Sequence, residues 1–235
     1  MGISLGLGDT LSLILFALAW VAYEPALKAL SRGRTLINTD MVTIRTAWMR
    51  AMVGRDQRLL DSQLVGHALN SASFFASSNL ILIAAAAGIL GGGDAAWRSI
   101  RAAPFVAEAS RVLFDLKLAV IAITLARSLL AFIWAIRQLN YCLAIIGAAP
   151  TSELAEKRAA YGEAAADVLT AGLSSFNSGV RGYYFALAAA AWLLGPWAFA
   201  AATLGGVVLL AWRQAASPAA RALRRVRLLL EADQA

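Results

Sequence analysis

The chain has 235 residues, of which 60% are hydrophobic and only 15% are charged, and its mean hydropathy is +0.66. Ordinary soluble domains carry about 25% charged residues, so this composition excludes them and predicts an integral membrane protein. The formal net charge of +7 favours Lys and Arg retained on the cytoplasmic side of a membrane over a nucleic-acid-binding surface. We therefore expect the lipid bilayer as a partner and no nucleic acid.

Apolar segments long enough to cross a bilayer recur along the chain. A hydrocarbon core of about 30 Å needs roughly 20 apolar residues in a helix. The last apolar stretch, Tyr183 to Trp212, is too long for one span, and Gly195-Pro196 at its middle favours a hairpin. The first segment is interpreted as a retained span, because no Lys or Arg precedes Lys28. Five spans are predicted, at about residues 8–27, 72–91, 113–136, 176–194 and 197–213.

The positions of Lys and Arg predict the orientation of these spans. With five spans and the N-terminus outside, 16 of these residues lie in cytoplasmic segments and 4 lie outside, whereas four spans give at best 11 against 9. Because cytoplasmic loops carry the excess of positive charge, the five-span arrangement is favoured. It places the C-terminus in the cytoplasm. The whole chain, 1–235, is expected to be one membrane domain.

The predicted fold class is an all-α membrane protein, a bundle of about five transmembrane helices with cytoplasmic amphipathic helices. Short sequence echoes run in the same order through the two halves, which is typical of a parallel two-fold repeat. Alanine-rich helices also resemble one another by chance, so both interpretations stay open. The clearest echoes join Ser12 to Phe16 with Ser128 to Phe132, Trp20 with Trp134, and Ser73-Phe74 with Ser175-Phe176.

Three polar segments are assigned to the cytoplasmic side. Residues 41–69 show helical spacing of apolar side chains and are expected to lie against the membrane surface, with arginines facing lipid phosphates, or else to form part of a cytoplasmic vestibule. Residues 152–173 form a second polar helix with nearly balanced charge, which favours contact with protein. The tail, 214–235, contains the basic amphipathic stretch Arg221 to Arg227 and is interpreted as an anchor on anionic lipid head groups.

Several motifs together resemble bacterial integral-membrane proteins catalogued as domain of unknown function 599. The resemblance extends from about residue 40 to 213 and implies an uncharacterised inner-membrane protein of bacterial type, without a substrate, cofactor or catalytic residue to carry over. The matching residues are Arg45-x-x-Trp48-Met49 with Arg55, Arg58 and Asp61, Ser73-Phe74-Phe75-Ala76-Ser77, Trp134-x-x-Arg137-Gln138-x-Asn140-Tyr141, Gly147-Ala148-Ala149-Pro150, Phe176-Asn177-x-Gly179-x-Arg181-x-Tyr183-Tyr184-Phe185-Ala186, and Pro196-Trp197.

Polar residues within or near the spans form the candidate ligand site. Arg127 falls just past the middle of the third span, where an arginine costs roughly 2.5–3.5 kcal/mol on insertion scales. Such residues either bind an anionic group or hydrogen-bond between helices, and both roles stay open. The members of this candidate ligand or interhelical cluster are Arg127, Arg137, Asn140, Tyr141, Asn177 and Arg181.

A candidate cytoplasmic cluster consists of Arg45, Arg55, Arg58 and Asp61, in which Asp61 is expected to orient an arginine. Asp115 and Lys117 are interpreted as anchors at the outer interface. The sequence shows no catalytic motif, no metal-binding pattern and no phosphate-cradling glycine loop, so no enzyme activity, metal or cofactor is expected. A single cysteine, Cys142, excludes a disulfide within the chain.

Two functions compete at this point. The first is a transport or channel-like protein for a small anionic solute, favoured by the arginines of the membrane segments, with a homo-oligomer as one form. The second is a non-catalytic scaffold or assembly partner of another membrane complex. The charge-balanced segment 152–173 and the absence of acidic proton-relay residues within the spans favour the second.

Overall fold

The structure, a computed structural model, describes residues 5–30, 36–104, 106–150 and 155–233. Within these ranges the chain is helical and contains no strand, which confirms the predicted all-α class. The α-helices within the described ranges are α1 (Leu7–Leu30), α2 (Ile37–Val53), α3 (Leu59–Gly91), α4 (Gly93–Arg101), α5 (Arg111–Gly147), α6 (Ala155–Ala191), α7 (Pro196–Ala215) and α8 (Pro218–Ala232).

Four segments among the described residues are long and apolar enough to cross a membrane: Leu7–Leu27, Leu59–Gly91, Arg111–Gly147 and Pro196–Ala232. They contain four of the five predicted spans. The remaining predicted span, 176–194, belongs to α6 and to the short 3-10 helix Trp192–Leu194 that follows it, and it stays a prediction. The chain is therefore a helical membrane protein with several apolar helices.

The predicted cytoplasmic helix 41–69 is wrong as one element, because α2 ends at Val53 and α3 begins at Leu59. Gly54 caps the end of α2, and its N–H donates to the carbonyl of Ala51 at 3.2 Å. The guanidinium of Arg58 donates to the carbonyl of Val53 at 3.2 Å, and both contacts satisfy backbone groups at the end of α2. The rest of the predicted segment continues directly into α3.

Residues 155–191 form a single helix, α6, where the sequence predicted a polar helix over 152–173 and a separate span from 176. No proline or positive-φ glycine interrupts α6, so its helical hydrogen bonds run on without a break. Residues 152–154 of the predicted helix lie outside the described residues. Helix α4, which begins at Gly93 with φ 62, has no counterpart among the predicted elements.

The chain reverses at Gly195 and Pro196, as the sequence predicts. Gly195 has φ 128, a conformation that side chains disfavour, and its N–H donates to the carbonyl of Trp192 at 3.0 Å. Pro196 is the first residue of α7, a position where its missing N–H costs nothing. The N–H of Ala107 donates to the carbonyl of Leu193 at 3.0 Å and covers the end of this turn.

The described residues group into two compact units. The first unit comprises residues within 1–32, 77–129 and 179–211, and the second comprises residues within 33–76, 130–178 and 212–235. In the first unit the ring of Phe16 lies 5.0 Å from that of Phe199 and 5.8 Å from that of Phe185. In the second unit Met49, Leu139 and Leu169 are fully buried in one apolar cluster. Each unit therefore has its own apolar core.

Two glycines allow helices to approach closely within these units. A Cβ atom on Gly162 of α6 would lie 2.7 Å from the Cα of Arg50 and 2.9 Å from its nitrogen, both backbone atoms of α2. Beside this contact the guanidinium of Arg50 pairs with Glu163. In the first unit a Cβ on Gly182 would overlap the hydroxyl of Ser128. Glycine is required at both positions because no side chain fits between the helices.

Replacing Gly162 with alanine is expected to separate α2 from α6, because the added methyl group meets backbone that cannot rotate away. We expect Gly162→Ala to destabilise the protein by about 1–3 kcal/mol. The measurement is the free energy of unfolding in mixed detergent micelles.

Gly66→Ala is the matched control, since nothing lies within 4 Å of a Cβ built on this glycine of α3. Alanine in an open helical position is expected to stabilise by roughly 0.5–1 kcal/mol. Equal stability of the two variants would contradict the close contact of α2 and α6.

Candidate functional site

Asp61 lies at the centre of the cytoplasmic cluster predicted from the sequence. Its carboxylate is fully buried in the second unit, where the indole N–H of Trp48 donates to Oδ1 at 2.7 Å. The guanidinium of Arg55 pairs with the same oxygen. Since buried carboxylates require charge-assisted hydrogen bonds, this arrangement holds the start of α3 against α2. Asp61 thus pairs with an arginine of the same predicted cluster, while an orienting role toward a ligand stays a prediction.

Arg58 holds two helix ends together. Its guanidinium donates to the carbonyls of Ala149 at 2.5 Å and Pro150 at 3.2 Å, just after the end of α5. The same group reaches Val53 at the end of α2. The last carbonyls of a helix have no partner within it, and a cationic donor satisfies them while complementing the helix dipole.

A cleft of about 210 Å³ opens beside these groups in the second unit, and we call it the arginine cleft. Asp56 is the single carboxylate among its lining residues, so the lining carries an excess of positive charge. Arg158, contributed by α6, makes no hydrogen bond or ion pair with any residue that the structure describes. The lining residues are Val53, Gly54, Arg55, Asp56, Arg58, Pro150 and Arg158.

The arginine cleft has the chemistry of an anion site. Guanidinium groups present paired N–H donors in a plane, which matches the oxygens of phosphate or carboxylate. Arg58 is already engaged by backbone carbonyls and Arg55 by Asp61. Arg158 is consequently the lining arginine that is left to bind a ligand directly.

Arg45 of the predicted cytoplasmic cluster is not a lining residue of the cleft. Arg45 lies in α2 and is buried, and it forms no ion pair with any of the described residues. Burial lowers the pKa of this guanidinium, because the charged form loses its hydration. Its charge is held without a carboxylate partner in the part of the chain that the structure describes.

In the first unit, α1 brings together two members of the predicted ligand cluster. Arg127 of α5 lies over the ring of Trp20, with 5.5 Å between its Cζ and the ring centroid. Arg181 of α6 lies 5.4 Å from the ring centroid of Tyr23 and pairs with Glu24 at 2.7 Å. Because Trp20, Tyr23 and Glu24 follow helical spacing, both arginines contact one face of α1.

The other four members of the predicted ligand cluster lie in the second unit. Arg137 donates to the hydroxyl of Tyr141 at 3.2 Å, and both residues are exposed. Asn140 donates to the carbonyl of Ile136 in its own helix at 3.0 Å. Asn177 donates to the side chain of Asn38 at 3.5 Å. A role for these residues in binding a ligand stays a prediction.

One buried charged group was missed at the sequence level. Lys117, interpreted as an interface anchor, is only 2% exposed, and its ammonium lies 5.7 Å from the ring centroid of Trp192. The indole N–H of Trp192 donates to Asp9 at 2.7 Å. A lysine two residues after an acid in an apolar segment resembles an interface anchor in the sequence, and its contact with Trp192, 75 residues later, becomes visible only in the structure.

Arg158 was also missed as a site residue, because it stands in a run of alternating charges that is typical of a solvated helix. Among the described residues no group of three or more His, Cys, Asp or Glu side chains could hold a metal ion. The donors that line the arginine cleft suit an anionic ligand.

Removing the carboxylate of Asp61 is expected to destabilise the second unit. In Asp61→Ala the partly buried indole N–H of Trp48 loses its acceptor and Arg55 loses its partner, and leaving a hydrogen-bonding group unsatisfied costs about 1–3 kcal/mol. Unfolding in detergent, followed by tryptophan fluorescence, measures the loss. Asp56→Ala removes an exposed carboxylate nearby and is expected to change stability by less than about 0.5 kcal/mol. A harmless Asp61→Ala would contradict the structural role of Asp61.

Comparison with known proteins gives one match. A search of the curated proteins and a search of the solved structures each found no match. The profile of a family described as "Protein of unknown function, DUF599" matches residues 11–219. This range includes the arginine cleft, the α1 face that binds Arg127 and Arg181, and the turn at Gly195, as the resemblance of the motifs implied. The chain therefore belongs to the DUF599 family.

Proposed function

We propose that this protein is a transporter or channel-like protein for a small anionic solute, and that the arginine cleft is its binding site on the cytoplasmic side. The observation that carries the proposal is Arg158, a cleft arginine with no described partner beside two further arginines. A single carboxylate, that of Asp56, opposes them in the lining. The proposal assigns no catalytic step and no cofactor.

The size of the cleft limits the solute that it can hold. A volume of about 210 Å³ lies below the 300–1,000 Å³ of pockets for drug-sized ligands. It suits an ion of the size of phosphate, sulfate or a short carboxylate. Such an ion receives paired hydrogen bonds from guanidinium groups, and the local charge excess raises its concentration near the site.

Positive groups in the first unit support the same class of solute. Arg127 is exposed on α5, in a segment apolar enough to span the membrane, and an arginine there is costly unless it meets water or a polar partner. Its contact with Trp20 covers only one side of the guanidinium plane. A second positive group, Arg181, contacts the same face of α1. These residues give an anion favourable electrostatics inside the membrane segments.

Anion flux in proteoliposomes tests the proposal. Inorganic phosphate, sulfate and acetate are the probes, each with a radioactive label. Arg158→Gln removes one charge-assisted contact, which contributes about 1.5–3 kcal/mol, so we expect at least a tenfold rise in the half-saturating solute concentration. Arg127→Ala is expected to lower the maximal rate for the same solute.

Lys157→Gln is the matched control, because it removes the same charge from the neighbouring position without touching the cleft lining. Wild-type kinetics are expected for it. Absence of flux for every probe would overturn the transport proposal. Flux that changes equally in Arg158→Gln and Lys157→Gln would instead show that the arginine cleft is not the binding site.

We propose that the protein lies in the inner membrane of a bacterium, with the N-terminus outside and the C-terminus in the cytoplasm. The support is the 16-to-4 distribution of Lys and Arg in the five-span arrangement. This orientation places α4 outside the cell and α8 in the cytoplasm. It also gives the arginine cleft access to cytoplasmic anions.

Cysteine labelling tests the orientation without background, because Cys142 is the one cysteine of the chain and is completely buried. Ser99 in α4 and Ala222 in α8 are exposed positions for a new cysteine. In intact cells, a membrane-impermeant maleimide is expected to label Ser99→Cys and to reach Ala222→Cys only after permeabilisation. The opposite pattern would reverse the orientation, and labelling of the unsubstituted chain would contradict the burial of Cys142.

A scaffold or assembly role is the second candidate function, favoured by the exposure of Arg127. A protein neighbour, including a second copy of the chain, would cover this guanidinium in the membrane. The charge-balanced segment 152–173 first suggested this role. One of its charges already has a partner within the chain, because Glu163 pairs with Arg50. A stoichiometric partner in mild detergent, together with absent anion flux, would favour this function over transport.

A further inference from the structure

The exposed side of α8 carries a groove of about 440 Å³ lined by Pro218, Arg221, Arg224 and Arg225. We propose that this groove, which we call the headgroup groove, binds the phosphate of an anionic phospholipid. The lipid would belong to the membrane surface that lies at the end of α7. The site lies apart from the lining of the arginine cleft and does not depend on the proposed transport role.

The connection between α7 and α8 keeps the groove close to the membrane. Helix α7 lies within a candidate span and ends at Ala215, three residues before Pro218. An extended chain covers at most about 10 Å in that distance. The hydroxyl of Ser217 donates to the carbonyl of Arg213 at 2.8 Å and accepts from the N–H of Ala220 at 3.1 Å. Ser217 therefore fixes the corner as well as capping α8.

The rotation of α8 about its axis is fixed by its contact with α2. Arg227 pairs at 2.8 Å with Asp40 of α2, a carboxylate that is only 1% exposed, and Ala220 is buried. Helical spacing puts Arg221 and Arg225 on the side of α8 away from these two residues. A buried ion pair is costly to break from one side, so it maintains this rotation.

The charges along the groove favour an anion. Arg221 and Arg225 are four residues apart on one helix face, and like charges at this spacing repel. The single acidic residue of α8, Glu231, already pairs with Arg227 at 2.8 Å. No lining residue is acidic. A phosphate group would remove the repulsion and accept hydrogen bonds from more than one guanidinium.

Apolar side chains beside the groove identify the anion as a lipid. Leu228 and Leu229 are 51% and 67% exposed, and Leu228 continues the line of Arg221 and Arg225 along the helix. A basic stretch followed by exposed leucines is the pattern of a helix that lies in the membrane interface. A free phosphate ion would use the arginines and leave these leucines in water, whereas a lipid covers both.

Lipid retention by the full-length protein tests the proposal. The purified protein in mild detergent is titrated with phosphatidylglycerol or phosphatidylcholine, and bound lipid is counted by native mass spectrometry. Each arginine near an anionic surface contributes about fivefold in affinity, so Arg221→Gln with Arg225→Gln is expected to weaken phosphatidylglycerol binding about 30-fold. Phosphatidylcholine, which has no net charge, is expected to bind weakly to both proteins.

Two further variants separate the outcomes. Arg98→Gln with Lys157→Gln removes the same total charge from exposed positions elsewhere and is expected to keep wild-type lipid binding. Leu228→Ser with Leu229→Ser is expected to weaken lipid binding but not the binding of inorganic phosphate.

Equal losses of lipid binding in the groove variant and in the control variant would overturn the site. Competition by inorganic phosphate at the concentration of the lipid would overturn the assignment to lipid. Unchanged melting temperatures of all variants without lipid show that the fold is intact.

Discussion

The structure depends on how a strongly apolar chain holds its positive charges. Ion pairs alone cannot do so, because 21 Lys and Arg residues face only 14 acidic residues. In the first unit, Arg127, Arg181 and Lys117 each lie within 6 Å of an aromatic ring centroid, where the ring quadrupole attracts a cation that water no longer covers. In the second unit, backbone carbonyls take this role for Arg58. The aromatic residues and helix ends are therefore electrostatic partners as well as packing elements.

Sequence periodicity and length predicted the helical class, the membrane character and the turn at Gly195, because these follow from local chemistry. The first and last residues of the polar helices were predicted less well from the sequence. The break between α2 and α3 depends on Arg58 reaching Val53, a contact that hydrophobic periodicity does not encode. The proposed repeat stays a prediction, although Phe16 and Phe132, which correspond in its two halves, are both buried in aromatic clusters.

The candidate site was predicted only in part, because some of its residues are close in sequence and others meet only through long-range packing. The family motif pointed to Arg55, Arg58 and Asp61, and the structure places all three around the end of α2. Arg158 comes from a helix about 100 residues later in the chain, and nothing in its local sequence marks it. Long-range proximity of this kind follows from helix packing, which in turn depends on a glycine, Gly162, that has no chemical function of its own.

The contact of Gly162 with Arg50 also fixes the geometry of the arginine cleft. Gly162 lies one helical turn after Arg158, and Arg50 lies in the last turn of α2 before Arg55. Because backbone packs against backbone, α2 has no room to slide along α6, so the spacing between Arg158 and Arg55 is fixed by the fold itself. Binding would then require little ordering of the protein. For an ion that must also leave quickly, such a preformed site favours rapid exchange over tight retention.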